Sequence, residues 1–396
     1  MLIYYNERKS DMKNNSTLLR QLLQPISRYE FQKHVDLFKA EKHAKGLSCW
    51  NQFTAMVFAQ YTNQTSLKSI ESGLLANNGC LYHLGITKTS KSTLSYANEN
   101  RDYRVYEHLF YYLYVKVKRI APKHRFKFSN KLSSVDATTI DLCKTSFPWA
   151  DFRKTKSGIK LIVKLDHSGY IPEDVKIKAA RNHEKPSVNH FFFEKDEIVA
   201  FDKGFSDYRF FANLYNNGSY FVTRLKNNAK YEIISDVLIK HKNILSEKVI
   251  CFTGYYSKKK CSMKLRMIVS YDPDTDKTIT LITNNFTLSS KTIAAIYKER
   301  WQIEILFKML KQYLKIKKFY GNSKNAVFTQ LYIALICFLL LAYVKFLNIC
   351  LLPLSQLIAL FRLNIFMKIN LFNLICFIEK PPPRQNCVKS VQGVLF

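Results

Sequence analysis

Acidic side chains are scarce in this chain of 396 residues: 30 Asp and Glu stand against 61 Lys and Arg, a formal charge of +31. Such an imbalance calls for a polyanionic partner, nucleic acid first and an anionic membrane surface second. Codon usage in a genome rich in A and T raises Lys, Asn and Ile together; it accounts for part of the lysine but not for the want of acids. No G-x-x-x-x-G-K-[ST] stretch is present, which argues against an ATP-driven motor. The nine cysteines (Cys49, Cys80, Cys143, Cys251, Cys261, Cys337, Cys350, Cys376, Cys387) contain no C-x-x-C pair, and the histidines, His183 and His190 among them, lack metal-ligand spacing. The odd, scattered set reads as reduced thiols in a cytosolic protein, not a disulfide frame or a zinc site. Residues 1–15 hold no apolar run of signal-peptide length. The longest greasy run, Leu331 to Val344, is bounded by Gln330 and Lys345 and falls short of the roughly 18–20 residues of a membrane span. It is expected to be a buried core helix.

What is present suits a globular protein of two or three domains, since 47% of the residues are hydrophobic. The first part, 1–125, reads as helical. Leu18, Leu19, Leu22 and Leu23 recur at helical spacing up to Pro25, and Trp50 to Tyr61 carries another such face. A polar turn, Thr62 to Thr65, joins it to a short helix around Leu67 to Leu74. This pair suits a helix-turn-helix reader of DNA and suits a plain helical bundle equally well. Ser92-Thr93-Leu94 starts a further helix running towards Val117. The texture then turns β-rich over 126–226, with strands expected at Lys131–Thr139, Ile159–Asp166, Asp174–Ala179, Glu197–Asp202 and Tyr220–Lys226. Three strands, a crossover and then alternating elements suggest a mixed α/β sheet flanked by helices. A β-rich insertion occupies 227–285, with runs at Lys248–Phe252, Lys264–Tyr271 and Lys277–Ile282. A long helix follows from Ser289 or Ser290 within 286–350. The segment 351–396 has no assignable role, and its tail from Pro381 reads as a loose surface stretch.

The chemistry gathers on that long helix, IYKERWQIEILFKMLKQYL, from Ile296 to Leu314. At about 100° per residue, Tyr297, Arg300, Glu304, Lys308 and Lys311 share an arc of roughly 80°, beside an apolar stripe of Ile296, Ile303, Phe307, Leu310 and Leu314. An acid among cations is often a surface ion-pair array. Asp136 and Asp202 tip the balance, because each stands in or at the end of a short apolar strand, where acids are rare unless paired or metal-bound. Two strand carboxylates facing a helix carboxylate can hold two divalent cations about 3.5–4 Å apart for phosphodiester chemistry. Their hard oxygens select Mg²⁺ or Mn²⁺. Asp141, Asp151, Asp166 and Asp207 compete for this role, the last two reading as turn acids.

Tyr297-x-x-Arg300-x-x-x-Glu304-x-x-x-x-x-x-Lys311 resembles the Y-R-E-K signature of the insertion-sequence-four family of DDE transposases. Thr283-Asn284, Arg300-Trp301-Gln302-Ile303-Glu304, Ser134-Val135-Asp136-Ala137-Thr138 and Asp202-Lys203-Gly204-Phe205 are similar to that family as well. So are Phe147-Pro148-Trp149-Ala150 and Lys156-Ser157-Gly158-Ile159-Lys160. The likeness runs from about residue 15 to 350, its helical start resembling an accessory domain often found ahead of this core. It implies a ribonuclease-H-like fold with the β-rich insertion placed before the Glu304 helix. It implies cleavage at transposon ends, often through a hairpin, and strand transfer into target DNA. On the same basis Tyr297, Arg300 and Lys311 would hold end phosphates, and a homodimer would bring the two ends together. Trp301, Tyr255 and Tyr256 are candidates to stack on an extruded base, with core packing an equal alternative for Trp301. Lys258, Lys259 and Lys260 are candidates for the DNA backbone.

Other readings stay open on sequence. A nuclease or junction resolvase on the same fold would cleave without joining, an inactive relic would bind DNA only, and a basic membrane protein would need detergent. The expected setting is the bacterial cytoplasm, with association to the nucleoid through DNA.

Overall fold

Hydroxyl side chains start the longer helices of the N-terminal part up to Asn100. Thr17, Ser27, Ser48, Ser66 and Ser90 each accept the N–H three residues on, capping α1 (Leu18–Leu22), α2 (Arg28–Leu37), α3 (Cys49–Thr62), α4 (Leu67–Ala76) and, after the short α5 (Leu81–Leu84), α6 (Lys91–Asn100). In the computed structural model the described residues are 16–42, 44, 46–153, 156–181, 188–238, 241–314, 316 and 318–379; His183, Cys387 and the tail from Pro381 lie outside them. The single helix expected from Ser92 to Val117 is two. The Asp102 carboxylate accepts the Arg104 N–H at 2.9 Å, a local bond that ends α6 and starts α7 (Arg104–Lys118) in a new direction. The expected helix-turn-helix pair is α3 and α4, its turn closed by Asn63 at φ 55°. However, α3 is buried on every side from Cys49 to Tyr61, so only α4 offers an outer face.

The sheet holds β1 (Leu132–Leu142), β2 (Asp151–Arg153), β3 (Lys156–Asp166), β4 (Ile171–Ala179), β5 (Ile198–Phe201) and, after α8 (Tyr208–Asn216), β6 (Tyr220–Arg224). β1, β3 and β4 form an antiparallel meander, while β5 and β6 run parallel to β1, giving the order β4-β3-β1-β5-β6. The insertion comprises β7 (Tyr231–Asp236), β8 (Ile244–Phe252), α9 (Tyr255–Lys260), β9 (Leu265–Asp272) and β10 (Lys277–Thr283). It is not a detached unit, because β10 pairs with β6 and carries the same sheet on through β9, β8 and β7. Strand alternation sorts the two faces. Val135, Val199, Phe201 and Phe221 pack on Phe210, Phe211 and Leu214 of α8. Leu132, Ile198, Ala200 and Val222 pack on the opposite face against Ile293, Ile296 and Tyr297.

Those last residues belong to α10 (Ser290–Glu299), capped by Ser289 as expected. The helix expected to run unbroken to Leu314 is instead interrupted at Arg300–Trp301. It resumes as α11 (Gln302–Lys308) and closes in a π-turn at Met309–Tyr313. After it come α12 (Lys324–Leu347), α13 (Leu354–Asn364) and α14 (Leu371–Glu379). α12 contains the long apolar run. It is hydrophobic all round and packs against α3, α6, α7 and α13, 94% of its most apolar stretch being buried. The segment after 350 returns to the N-terminal helices, because Leu18 and Leu19 donate to the Met367 and Ile365 carbonyls and Gln21 reaches the Ile369 carbonyl. A boundary at 350 therefore divides what packing joins. The eight cysteines among the described residues are free thiols.

Candidate active site

Register places the two strand acids together. β1 and β5 pair in parallel with Val135 opposite Phe201, so the next residues stand level, Asp136 inside β1 and Asp202 just past the end of β5. Alternation from Leu132 and Ser134 turns Asp136 to the α10 face. There Arg300 Nη1 donates to Asp136 Oδ2 at 2.7 Å and lies 3.8 Å from Glu304 Oε1. Arg300 ends α10 and Glu304 stands in the first turn of α11, one turn later, so the nearly buried arginine and the acid face the same point of β1. Asp136 Oδ1 is held by the Ala137 N–H at 2.8 Å. Asp202 accepts from the Gly204 N–H at 3.1 Å and from Arg224 Nη2 at 3.2 Å.

The electrostatics of the two acids diverge. Burial pushes the Asp136 carboxyl up to about 6; Arg300 and the Ala137 N–H pull it down, and the Glu304 and Asp202 charges add to the push. For Asp202 burial also works upward, but the Gly204 N–H, Arg224 and Arg300 outweigh it and hold the carboxyl below its ordinary value. Among the described residues no three His, Cys, Asp or Glu side chains close into a cluster sufficient for an ion. The reason is visible in the geometry, where the Arg300 guanidinium stands between Asp136 and Glu304. The candidate donors are nonetheless all carboxylate oxygens, and the charges of Glu304 and Asp202 both act on Asp136. The set fits a hard divalent cation in chemistry, with Arg300 supplying the positive charge this arrangement draws in.

Three cation-lined polar atoms crowd the same spot. Tyr297 Oη, Arg300 Nε and Arg224 Nε are buried without a hydrogen-bond partner of good geometry, and both guanidinium groups lie within 6 Å of the Tyr297 ring centre. Arg224 was not singled out in the sequence. Its signal was a lone arginine ending the apolar strand YFVTR, next to the strand that ends in Asp202. Lys311 sits in the π-turn and donates to the Thr139 carbonyl at 3.0 Å, further along β1. Trp301 is 60% exposed at the helix break, so it does not pack in the core. Tyr255 and Tyr256, also exposed, meet edge to face on α9, a helix that packs on α8 and β8. That motif, with Lys258, Lys259 and Lys260, is on the side of the sheet away from Arg300, and the structure does not bring it together with the acids. The competitors have other partners: Asp166 accepts the Ser168 N–H and is bound by Tyr114 and Lys118 of α7, Asp207 accepts the Arg209 N–H, and Asp141 alternates to the face opposite Asp136. The Asp151 side chain lies outside what is described. His190 is exposed.

A meander of three antiparallel strands followed by two parallel ones, with one carboxylate inside the first, another just past the fourth and a helix across them, defines the ribonuclease-H-like class of folds. The Transposase DDE domain family matches residues 127–340, and the chain belongs to that family, whose members are metal-dependent DNA-cleaving enzymes. Residues 14–87 match a Domain of unknown function (DUF4372). The chain is 28% identical over 278 residues to a probable transposase for insertion sequence element IS5377 from Geobacillus stearothermophilus, covering 70% of this chain and 72% of that one. It is 31% identical over 257 residues to the putative transposase y4zB of Sinorhizobium fredii, covering 64% of this chain and 70% of that one. Among solved structures, the piggyBac transposase synaptic complex with hairpin DNA aligns at TM-score 0.47 and 10% identity, over 92% of this chain and 80% of that chain.

Proposed function

We propose that this transposase cuts DNA at the ends of an insertion sequence and joins the freed 3′-hydroxyl strands to target DNA, with Asp136, Asp202 and Glu304 as its catalytic acids. The observation that carries the reading is the level placement of Asp136 and Asp202 on adjacent parallel strands, with Arg300 between Asp136 and Glu304. The three carboxylates would hold two Mg²⁺ or Mn²⁺ ions, which when bound supply an activated oxygen nucleophile and neutralise the leaving oxygen. Arg300, Arg224 and Tyr297 present donors to a phosphate of the transposon end, Arg as a planar fork and Tyr through its hydroxyl. Lys311 adds a point charge further along β1, at the Thr139 carbonyl. Trp301 offers an exposed ring for a base turned out of the helix. Tyr255, Tyr256, Lys258, Lys259 and Lys260 form a separate contact surface for DNA that runs past the sheet. Two copies bring two ends to one target, which makes the working complex a homodimer on double-stranded DNA in the bacterial cytoplasm, associated with the nucleoid.

The test is substitution of each acid by its amide. Asp136→Asn, Asp202→Asn and Glu304→Gln should each abolish Mg²⁺-dependent cleavage and joining of end DNA while end binding by gel shift stays within a few-fold. If one variant cleaves at the wild-type rate, that residue does not hold the ion. Cleavage without any joined product in the wild type would leave a nuclease.

A further inference from the structure

We propose that Glu299, with Tyr170 and Arg125, forms a latch that positions Arg300 and Glu304 for the reaction, the three latch residues themselves touching neither DNA nor metal. The inference rests on the assignment of Glu304 and Arg300 to the active site. Glu299 is the last residue of α10 and immediately precedes Arg300 at the helix break. Its carboxylate is buried, with 4% side-chain exposure, on a chain whose acids are few. One oxygen accepts from the Tyr170 hydroxyl at 2.6 Å and the other is ion-paired with Arg125. Two successive side chains thus diverge from one point, Arg300 to Asp136 inside β1 and Glu299 to the β3–β4 turn.

The anchor at the far end is itself fixed. Tyr170 takes φ 53° and Gly169 φ 76°, and a Cβ on Gly169 would stand 2.7 Å from the Phe346 ring, so this turn is seated against α12 and admits little other geometry. The His167 ring packs edge-on against Tyr170 and shares a 2.6 Å hydrogen bond with Ser134 of β1, two residues before Asp136. Arg125 belongs to the connection between α7 and β1. The latch therefore ties the helix break to two segments that flank the strand bearing Asp136. A break in a helix is a natural hinge, since neither α10 nor α11 alone fixes the angle between them. A buried carboxylate with two directed partners supplies that constraint, because leaving it unpaired in the interior is costly.

Reaction rates depend steeply on such placement, about 1 Å of error costing on the order of 10²-fold. Tyr170→Phe removes one hydroxyl at an otherwise unchanged site, and Glu299→Gln keeps a group that accepts from Tyr170 while losing the charge that holds Arg125. Both, together with Glu304→Gln as control, would be assayed for single-turnover cleavage of end DNA across a Mg²⁺ series, for end binding by gel shift, and for melting temperature. The latch predicts cleavage slowed about tenfold or more at saturating DNA, with a raised Mg²⁺ half-saturation. End affinity should stay within about twofold, the melting temperature should fall by only a few degrees, and Tyr170→Phe combined with Glu299→Gln should be no worse than the poorer single variant. Wild-type rate and Mg²⁺ dependence in both single variants, with Glu304→Gln inactive, overturns the latch and leaves the site assignment standing. Cleavage, binding and melting all falling together also overturns it, since that is loss of fold. An active Glu304→Gln instead overturns the assignment beneath it.

Discussion

Replacing Asp136 by Asn should stabilise the metal-free protein at neutral pH while destroying its activity. The Asp136 carboxyl is raised from 3.8 to about 6 by burial, with the Glu304 and Asp202 charges adding to the push. A rise of this size corresponds to about 3 kcal/mol of cost for keeping the ionised form in the folded state. The sign follows from linkage. A group whose folded value is raised contributes stability that is fully present below its unfolded value, near 3.9, and lost as pH climbs through about 6. Asn mimics the neutral form at all pH, but its single carbonyl cannot accept from both the Ala137 N–H and Arg300, a loss of about 1 kcal/mol. The net gain should therefore be about 2 kcal/mol at pH 8, shrinking by about 1 kcal/mol or more at pH 5. Urea unfolding in EDTA at pH 5, 6, 7 and 8 measures it. Added Mg²⁺ should stabilise the wild type and not the variant, because only the intact acid set gains from the ion. A pH-independent difference between the two proteins, or a wild type more stable than Asp136→Asn in EDTA at pH 8, would refute the reasoning.

The charge of +31 should make end binding fall by about 10³-fold or more between 50 and 200 mM salt, as for a protein covering six or more phosphates; a flat response in a salt titration would assign the charge to codon drift. Arg300→Ala and Lys311→Ala should differ. Arg300 bonds Asp136, so its loss should slow the first nick and the later steps alike, whereas Lys311 reaches the Thr139 carbonyl, further along β1, and its loss should spare the nick and let nicked DNA accumulate. Equal profiles for the two variants on a denaturing gel would show that the contact with Asp136 has no consequence. Trp301→Ala should leave melting within about 1 kcal/mol of the wild type, the ring being 60% exposed, yet reduce second-strand cleavage; a large loss of stability would return Trp301 to the core.

The site was legible where chemistry imposes residue type and spacing, and illegible where only packing decides. Asp136 and Asp202 stood out as acids in apolar strands, and their pairing followed once β1 and β5 were in register. The Arg300–Glu304 spacing was visible, and on an ideal helix it gave a stripe of one acid among cations beside the apolar face. The break at Trp301 and the π-turn at Met309–Tyr313 are tertiary features with no proline or glycine to announce them. They bury Arg300 and send Lys311 along β1. Arg224 and Glu299 were passed over for a similar reason, since an arginine at a strand end and a glutamate among lysines look like solvent-facing residues until a partner is found for them. In the fold, strand positions followed from alternation and apolar content. That the insertion continues the main sheet, and that residues 354–379 complete the N-terminal helices, depends on pairings between segments remote in sequence. Local pattern does not carry such pairings.

The scarcity of acids takes on a different meaning once their positions are known. Several of the few are inside: Glu197 beside Lys164, Glu247 beside Arg266, Glu299 beside Arg125. Two of these pin the same helix. At the start of α10, Glu247 accepts from Ser290 and holds Arg266, which in turn donates to the Asn285 and Leu288 carbonyls at 2.8 and 2.6 Å. At its end, Glu299 is bound by Tyr170 and Arg125. α10 also seals the sheet with Ile293, Ile296 and Tyr297. The helix that delivers Arg300 to Asp136 is thus fixed through the insertion at one end and through the β3–β4 turn at the other. A buried ion pair such as Glu247–Arg266 adds little net stability, because desolvation offsets most of its attraction, but removing one partner is expensive; in the Glu299–Arg125 pair only the carboxylate is buried. Their value here lies in allowing one orientation of α10 and penalising the rest. The two buried acids at the ends of α10 therefore serve placement of the helix, while other acids, Asp236 and Asp274 among them, lie on the surface.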